Sequence, residues 1–132
     1  MDDQAAARPF CYLTTTGRVS GRPHTIEIWF ARNGRTLYML SGGGDRSDWV
    51  RNLLRDPEVT VRVGSRRAPE LGGRARVVDP DSDEDELARA LVTGKYQPTY
   101  GGDLSGWRRG ALPVAVDLEP SSPDRAGADR GD

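Results

Sequence analysis

Apolar and polar residues alternate along short stretches of this chain, and a period of two is typical of β-strands. The predicted strands cover residues 10–16, 25–32, 36–41, 58–63, 74–78 and 111–118. Asn33-Gly34 separates the second strand from the third, and both residues tolerate the positive φ angles that a tight hairpin turn requires. We therefore expect about six strands, paired antiparallel.

Two other segments carry apolar residues at three- and four-residue spacing, which is typical of amphipathic helices. The first begins at Asp45 or Ser47, either of which can cap a helix, and ends before Pro57. The second opens at Asp79-Pro80 and ends near Thr93-Gly94. The residues expected to face inward are Trp49, Val50 and Leu53 in the first helix and Leu87, Ala90 and Leu91 in the second. Residues 95–109 predict a loop or a short helical turn, so the fold class is mainly β (α+β), a small barrel with two to three helices outside.

The length of 132 residues leaves room for a single compact domain. We expect residues 1–9 to form a flexible N-terminus and residues 10–119 to form the domain. Residues 120–132 contain hardly any apolar side chains, so they predict a disordered tail.

The charge balance argues against a general polyanion-binding surface, because 19 Lys and Arg oppose 20 Asp and Glu. We therefore expect no nucleic-acid partner, and any basic site must be local. The single cysteine, Cys11, excludes an intramolecular disulfide and a multi-cysteine metal site. No apolar run has the length of a membrane span, and the first residues lack the features of a signal peptide, so a soluble cytoplasmic protein is expected.

A polar and basic turn between the first two strands could hold an anion. Gly17 and Gly21 can adopt backbone angles closed to other residues, which lets amides and hydroxyls converge on one point. Arg18, Arg22 and His24 add positive or proton-sharing groups, so phosphate is the natural guest. The alternative is an ordinary hairpin connection.

Hydrolytic and metal-dependent chemistry is poorly supported, because the chain has one histidine, one cysteine and no HExxH, GxSxG or GKS/T pattern. No metal site is expected. Hydride transfer needs fewer catalytic side chains, since a cofactor supplies the reactive carbon and the protein binds, orients and shields it. A non-catalytic binding protein would have the same composition.

Four segments together resemble one known family. They are residues 13–21, Thr25-Ile26-Glu27-Ile28-Trp29-Phe30, Leu40-Ser41-Gly42-Gly43-Gly44-Asp45 and Trp49-Val50-Arg51-Asn52-Leu53. In this order and spacing they resemble the deazaflavin-dependent nitroreductase and quinone reductase family, over about residues 10–120. The resemblance implies an FMN-binding-protein-like split β-barrel. It also implies an oxidoreductase that transfers hydride from reduced coenzyme F-420 (8-hydroxy-5-deazaflavin) to an enone, a quinone or a nitroaromatic.

The same resemblance implies where the site lies. The second strand would follow the deazaflavin ring, and the basic turn would receive the phosphate and the glutamyl tail. The implied cofactor-binding residues are Arg18, Val19, Ser20, Arg22, His24, Thr25, Ile26, Glu27, Ile28, Trp29, Met39, Leu40, Ser41, Gly42, Asp48, Trp49 and Asn52. Tyr96 and Tyr100 match the approximate place of substrate-contacting tyrosines and are the candidate catalytic residues. Glu27 either bonds the ring edge or is a solvent-facing acid.

Three positions depart from the nitroreductase branch, which commonly has cations where Val19, His24 and Gly42 stand. The departures keep two alternatives open: an FMN-dependent reductase, and a non-catalytic carrier of a flavin, a tetrapyrrole or a fatty-acyl ligand. The small-molecule acceptor itself is not identified by the sequence. The apolar strands at Tyr12-Leu13 and at residues 26–30 exceed what one small core needs, so we also expect a homodimer.

Overall fold

A seven-stranded antiparallel sheet forms the body of the protein, in a computed structural model that describes residues 1–120. The strands are β1 (Cys11–Thr16), β2 (Pro23–Ile28), β3 (Ala31–Asn33), β4 (Thr36–Ser41), β5 (Glu58–Val63), β6 (Leu71–Val77) and β7 (Leu112–Leu118). Their order across the sheet is β2-β1-β5-β6-β7-β4-β3. The predicted disordered tail lies, apart from Pro120, outside the described residues.

Four α-helices and one 3-10 turn accompany the sheet. The helices are α1 (Asp3–Ala6), α2 (Asp48–Arg55), α3 (Asp83–Tyr96) and α4 (Ser105–Gly110), and the 3-10 turn covers Gly44–Arg46. Ser47 occupies the predicted cap position of α2, but its hydroxyl lies 2.8 Å from that of Ser41 and makes no capping bond. Its role is therefore to tie the start of the helix to the end of β4.

The predicted strand over residues 25–32 is in fact two strands at opposite edges of the sheet. β2 pairs with β1, whereas β3 pairs with β4 through the hairpin that Asn33-Gly34 predicted. Only Trp29 and Phe30 separate the two strands, so the sheet must curl until its edges approach each other. The sheet is thus a half-barrel. We call the place where its two edge strands, β2 and β3, approach each other around Phe30 the seam.

Two side chains of α3 satisfy the backbone of the seam, where strand pairing is interrupted. The Phe30 N–H donates to the Tyr96 hydroxyl at 3.0 Å, and the proton of that hydroxyl is shared between the carbonyls of Pro9 and Phe30, at 2.8 and 3.1 Å. Lys95 Nζ donates to the carbonyls of Ala6 and Phe30 and lies 3.7 Å from the centre of the Phe30 ring. The buried polar groups of Phe30 are therefore paired, as stability requires.

The core has two parts. One fills the curled sheet and includes Leu13, Phe30, Met39 and Val61, and the other lies between the sheet and α3. The buried face of α3 is not the predicted one: Ala88 and Val92 are fully buried, whereas Leu87 is 37% exposed and Ala90 and Leu91 are only partly buried. The buried stripe is formed by Ala88, Val92 and Tyr96, which recur every four residues. The helix also starts later than predicted, because Asp81 has a φ of 61° and Ser82 caps the helix by accepting from the Asp85 amide.

The N-terminal residues, whose flexibility stays a prediction, contact the folded domain in the structure. Met1 and Ala5 pack against the core of the curled sheet. Arg32 donates to the Met1 carbonyl at 2.9 Å and pairs with Asp3. With the Lys95 and Tyr96 bonds at the seam, these contacts fix α1 across the joined edges.

Candidate functional site

The connection between β1 and β2, which we call the basic turn (residues 17–22), has a defined internal structure. The Gly17 amide donates to the Arg22 carbonyl at 2.8 Å, and the Gly21 amide donates to the Gly17 carbonyl at 2.9 Å. Gly21 has a φ of 74°, which a glycine adopts without strain. The Ser20 hydroxyl accepts from the Arg22 amide. Within residues 1–120 the amides of Val19 and Ser20 have no protein acceptor, so they are available to an anion.

The His24 ring lies directly over Gly17. A Cβ at position 17 would stand 2.7 Å from two atoms of that ring and 2.9 Å from the Ser20 hydroxyl, closer than real contacts allow. A glycine is therefore required at position 17 for the ring and the hydroxyl to approach the same point. The turn thus brings an imidazole, a hydroxyl and two amides together, a set of groups suited to phosphate.

Arg18 joins the basic turn to α2. Its backbone amide and its Nη1 both donate to Asn52 Oδ1, at 3.1 and 3.0 Å, and its Nη2 lies 3.1 Å from Asp48 Oδ1. Asn52 in turn donates to the buried Thr15 hydroxyl. Three residues that the sequence placed in one site are therefore in contact, although 30 and 34 positions separate Arg18 from Asp48 and Asn52.

Two open cavities flank the basic turn. One of about 430 Å³ lies between the turn and the end of α2, where Arg18, Val19, Arg55 and Asp56 line it. The other, of about 420 Å³, lies over the outer face of the sheet, with Thr14, Thr60 and Gly72 among its lining residues. Thr16 and Gly21 border both cavities, so the turn stands between a charged cavity and a hydroxyl-rich one.

The side chains of β2 alternate as predicted. Thr25 and Glu27 are exposed on the outer face, while Ile26 and Ile28 pack against the core. The Thr25 hydroxyl lies 2.7 Å from that of Thr14 on the neighbouring strand. Glu27 therefore lies on the outer face of the sheet. Both interpretations of this residue, a partner of the ring edge and a solvent-facing acid, stay predictions.

The side chains of the predicted site at the end of β4 are buried. Met39 and Leu40 belong to the core, and the Ser41 hydroxyl donates to the Gly44 carbonyl at 2.9 Å. Only Gly42 is exposed. Trp49 of α2 is likewise partly buried against the core. Side-chain contacts of Met39, Leu40 or Ser41 with a ligand would require these residues to move.

An aromatic cluster lies at the far end of β2 and consists of Trp29, Tyr96, Tyr100 and Trp107. Trp29 stacks on Tyr96 with ring centroids 4.2 Å apart, and it meets Tyr100 and Trp107 edge-on at 5.8 and 5.7 Å. Tyr100 is 47% exposed, whereas Tyr96 is 6% exposed and its hydroxyl serves the seam. The structure thus places Tyr96 under the cluster rather than at its surface, where a substrate would meet it.

Sequence reasoning did not single out Trp107 as a site residue. Its indole Nε1 would stand 3.4 Å from a Cβ at Gly42, so α4 brings the ring over the end of β4. The signal that could have found it is an aromatic residue within a glycine-rich stretch next to two tyrosines. The basic turn and the aromatic cluster lie at opposite ends of β2, and the five residue steps from His24 to Trp29 span roughly 16 Å.

Metal binding has no support in the described part of the chain, where no group of three or more His, Cys, Asp or Glu side chains could hold an ion. Among residues 1–120 the structure also contains no helix long and apolar enough to cross a membrane.

Comparison with known proteins identifies relatives over most of the chain. A family model described as F420H2-dependent quinone reductase matches residues 3–119. An F420H2-dependent quinone reductase of Mycobacterium tuberculosis is 37% identical over 113 residues, which cover 83% of this chain and 73% of that protein. The family-model match over residues 3–119 includes the basic turn, α2 and the aromatic cluster.

Solved structures are similar in fold. An F420 reductase superposes with a TM-score of 0.62 at 20% identity, covering 89% of this chain and 92% of its own. The heme storage protein HutZ of Vibrio cholerae superposes with a TM-score of 0.69 at 17% identity, covering 86% and 84%. The split β-barrel predicted from the sequence is confirmed, with seven strands in place of about six.

Proposed function

Because the chain belongs to the F420H2-dependent quinone reductase family, we propose that it reduces a quinone or another activated acceptor with hydride from the reduced deazaflavin coenzyme. The observation that carries the proposal is the family match over residues 3–119. The family match favours this interpretation over the two alternatives, an FMN-dependent reductase and a non-catalytic carrier. When bound, the coenzyme supplies the hydride, and the chain's own residues bind, orient and shield it.

The basic turn fits the phosphate of the coenzyme. It offers the unpaired amides of Val19 and Ser20, the Ser20 hydroxyl and the exposed Arg22 and His24 side chains. Gly17 lets the His24 ring approach the turn, because a Cβ at position 17 would clash with that ring. Arg18 adds a guanidinium, whose charge-assisted bonds to an oxyanion are stronger than neutral ones. We assign phosphate binding to these residues and the course of the ring to β2.

The aromatic cluster is the proposed acceptor region. A quinone is flat and apolar, and aromatic faces and edges bind such rings favourably. Trp29, Tyr100 and Trp107 are partly or largely exposed there, while Tyr96 supports them from below. Both Tyr96 and Tyr100 were predicted to be catalytic. We keep this role for Tyr100 and withdraw it from Tyr96, because the Tyr96 hydroxyl is buried and already bonded at the seam.

Titration of the purified protein with the oxidised deazaflavin coenzyme and, in parallel, with FMN tests the cofactor. We expect tight binding of the deazaflavin and weak binding of FMN. Mixing the pre-reduced complex with quinones, enones and nitroaromatics in a stopped-flow instrument tests the reaction. Tight FMN binding with no response to deazaflavin would contradict the cofactor assignment, and stable reduced coenzyme with every acceptor would favour a carrier.

Replacement of Tyr100 by phenylalanine should slow turnover and leave coenzyme affinity unchanged. The phenol is exposed beside Trp29, where it can orient the acceptor or donate a proton to it. Loss of a proton donor should lower turnover about 10-fold or more. Tyr12→Phe, which removes another phenol from the outer face of β1, is the matched control. Equal rates for Tyr100→Phe and wild type would exclude a role for this hydroxyl.

We also propose a homodimer formed through the outer face of β1 and β2. Tyr12, Thr14 and Thr25 lie there beside one another, and an open sheet face of this kind can pack on a second copy. Light scattering at micromolar concentration with coenzyme present tests the assembly. A monomeric mass would exclude it.

A cytoplasmic location is the remaining part of the proposal. Its support is Cys11, a free and fully buried thiol whose pKa burial raises to about 12. Such a thiol is compatible with a reducing compartment. Fractionation of the producing cells, followed by detection of the protein in each fraction, tests the location.

A further inference from the structure

Asn52 is buried, and its side-chain amide is hydrogen-bonded to Arg18 and Thr15. It is 2% exposed, its Oδ1 accepts from the backbone and from the guanidinium of Arg18, and its Nδ2 donates to Thr15 Oγ1 at 3.1 Å. A coenzyme cannot reach this amide without displacing Arg18. Asn52 therefore acts through Arg18, whose backbone and side chain it holds at the same time.

Asp48 contacts the same guanidinium, but unlike Asn52 it is exposed to solvent. Its Oδ1 lies 3.1 Å from Arg18 Nη2, and its side chain is 85% exposed, compared with 29% for Arg18. Asp48 and Asn52 are four positions apart on α2, so the helix presents both to one arginine. The Arg18 guanidinium thus lies between a buried neutral amide and an exposed carboxylate.

We propose that Asn52 and Asp48 set the affinity of the basic turn for the coenzyme phosphate in opposite directions. Asn52 is a positioning residue that holds Arg18 toward the turn and raises affinity. Asp48 is a competing anion that occupies one donor of Arg18 and repels incoming negative charge. The inference rests on the proposed function, because it concerns the same phosphate.

The physical basis is that an arginine already paired with one anion binds a second anion less tightly. A phosphate that approaches Arg18 must share its donors with the Asp48 carboxylate, and the two negative charges repel each other. An exposed ion pair adds little to stability, so the carboxylate is displaced at small cost. The neutral amide of Asn52 adds no such repulsion. Besides Arg18, the charged residues that line the cavity between the basic turn and α2 are Arg55 and Asp56, at the end of α2.

Asp48→Asn should tighten coenzyme binding about threefold to tenfold, as expected for the loss of a partly screened repulsion. The gain should shrink as salt is added. Asp45→Asn is the matched control, because it removes the same charge from the 3-10 turn immediately before α2. Its affinity should stay within about twofold of wild type, since charge effects between exposed groups fall with distance.

Asn52→Ala should weaken binding about tenfold or more without changing the rate at saturating coenzyme. Thr15→Val is its control: it removes the acceptor of Asn52 Nδ2 but leaves both Arg18 contacts, so it should cost stability without costing affinity. In an Arg18→Ala background the Asn52→Ala effect should shrink, because only the bond from the backbone amide of residue 18 is left to lose. A purely structural role would give the same loss in both backgrounds.

Fluorescence titration of wild type and the six variants, the Arg18→Ala/Asn52→Ala double variant included, with the oxidised deazaflavin coenzyme decides the matter. The inference would be overturned if Asp48→Asn bound the coenzyme no more tightly than wild type. It would also be overturned if the Asn52→Ala effect were undiminished in the Arg18→Ala background. Asp48 is exposed, so its variant is a valid test even if Asn52→Ala does not fold. Wild-type protein that binds no coenzyme would instead remove the proposed function, and this inference with it.

Discussion

Arg18→Ala should weaken binding of the deazaflavin coenzyme by about 10- to 100-fold, the effect of losing a charge-assisted contact of roughly 1.5–3 kcal/mol. Arg18 lies in the basic turn, and the aromatic cluster lies at the opposite end of β2, where the steps from His24 to Trp29 alone span roughly 16 Å. A contact so far from the reacting ring contributes equally to the ground state and the transition state. The rate at saturating coenzyme should therefore change little, which fluorescence titration and stopped-flow oxidation would measure separately.

Arg35→Ala is the control for this substitution, because it removes the same charge from the β3–β4 turn, at the other edge of the sheet. It should leave coenzyme affinity unchanged. If Arg18→Ala also binds the coenzyme as tightly as wild type, the basic turn is an ordinary hairpin connection and the phosphate lies elsewhere.

Tyr96→Phe should lower the free energy of unfolding by about 1–3 kcal/mol, the cost of leaving buried polar groups unpaired. The substitution removes the acceptor of the Phe30 amide and the donor to the Pro9 carbonyl. The hydroxyl stays protonated in the native protein, because burial raises the pKa of Tyr96 to about 12. Thermal unfolding should show a melting temperature lower by several degrees.

Coenzyme affinity should be retained in the folded fraction of Tyr96→Phe, since this hydroxyl lies beneath the aromatic cluster. The comparison with Tyr100→Phe separates the two tyrosines: the first should lose stability and keep activity, and the second should do the reverse. A Tyr96→Phe protein of normal stability but low turnover would restore the catalytic role that the sequence suggested for Tyr96.

Local features of the sequence predicted most of the fold. Asn33-Gly34 predicted the hairpin, because a two-residue turn depends only on its own backbone angles. The turn lies one residue later than predicted, at Gly34 and Arg35: Asn33 pairs with Thr36, and Gly34, not Asn33, has a positive φ, of 63°. The division of residues 25–32 into two strands was not predictable in this way. Trp29 and Phe30 continue the apolar pattern, and the break arises only because β2 and β3 pair with different partners.

The candidate site was predicted unevenly for a similar reason. Resemblance to a family placed Arg18, Asp48 and Asn52 in one site, and the structure brings them into contact. It could not reveal that Asn52 is buried and bonded to Thr15, because burial depends on the packing of α2 against β1. The same resemblance placed Tyr96 in the catalytic group, after a helix expected to end near Thr93-Gly94. The structure instead continues α3 through Gly94 to Tyr96, so Tyr96 lies on the buried side of this helix.

The seam also gives the protein a chemical reporter. Lys95 is the only lysine in the chain, and its ammonium is held by the Ala6 and Phe30 carbonyls against the Phe30 ring. An amine-directed acylating reagent must wait for both bonds to break before it can attack this nitrogen. The labelling rate of Lys95 therefore reports how often these two bonds at the seam open in the folded protein, and no second lysine obscures the signal.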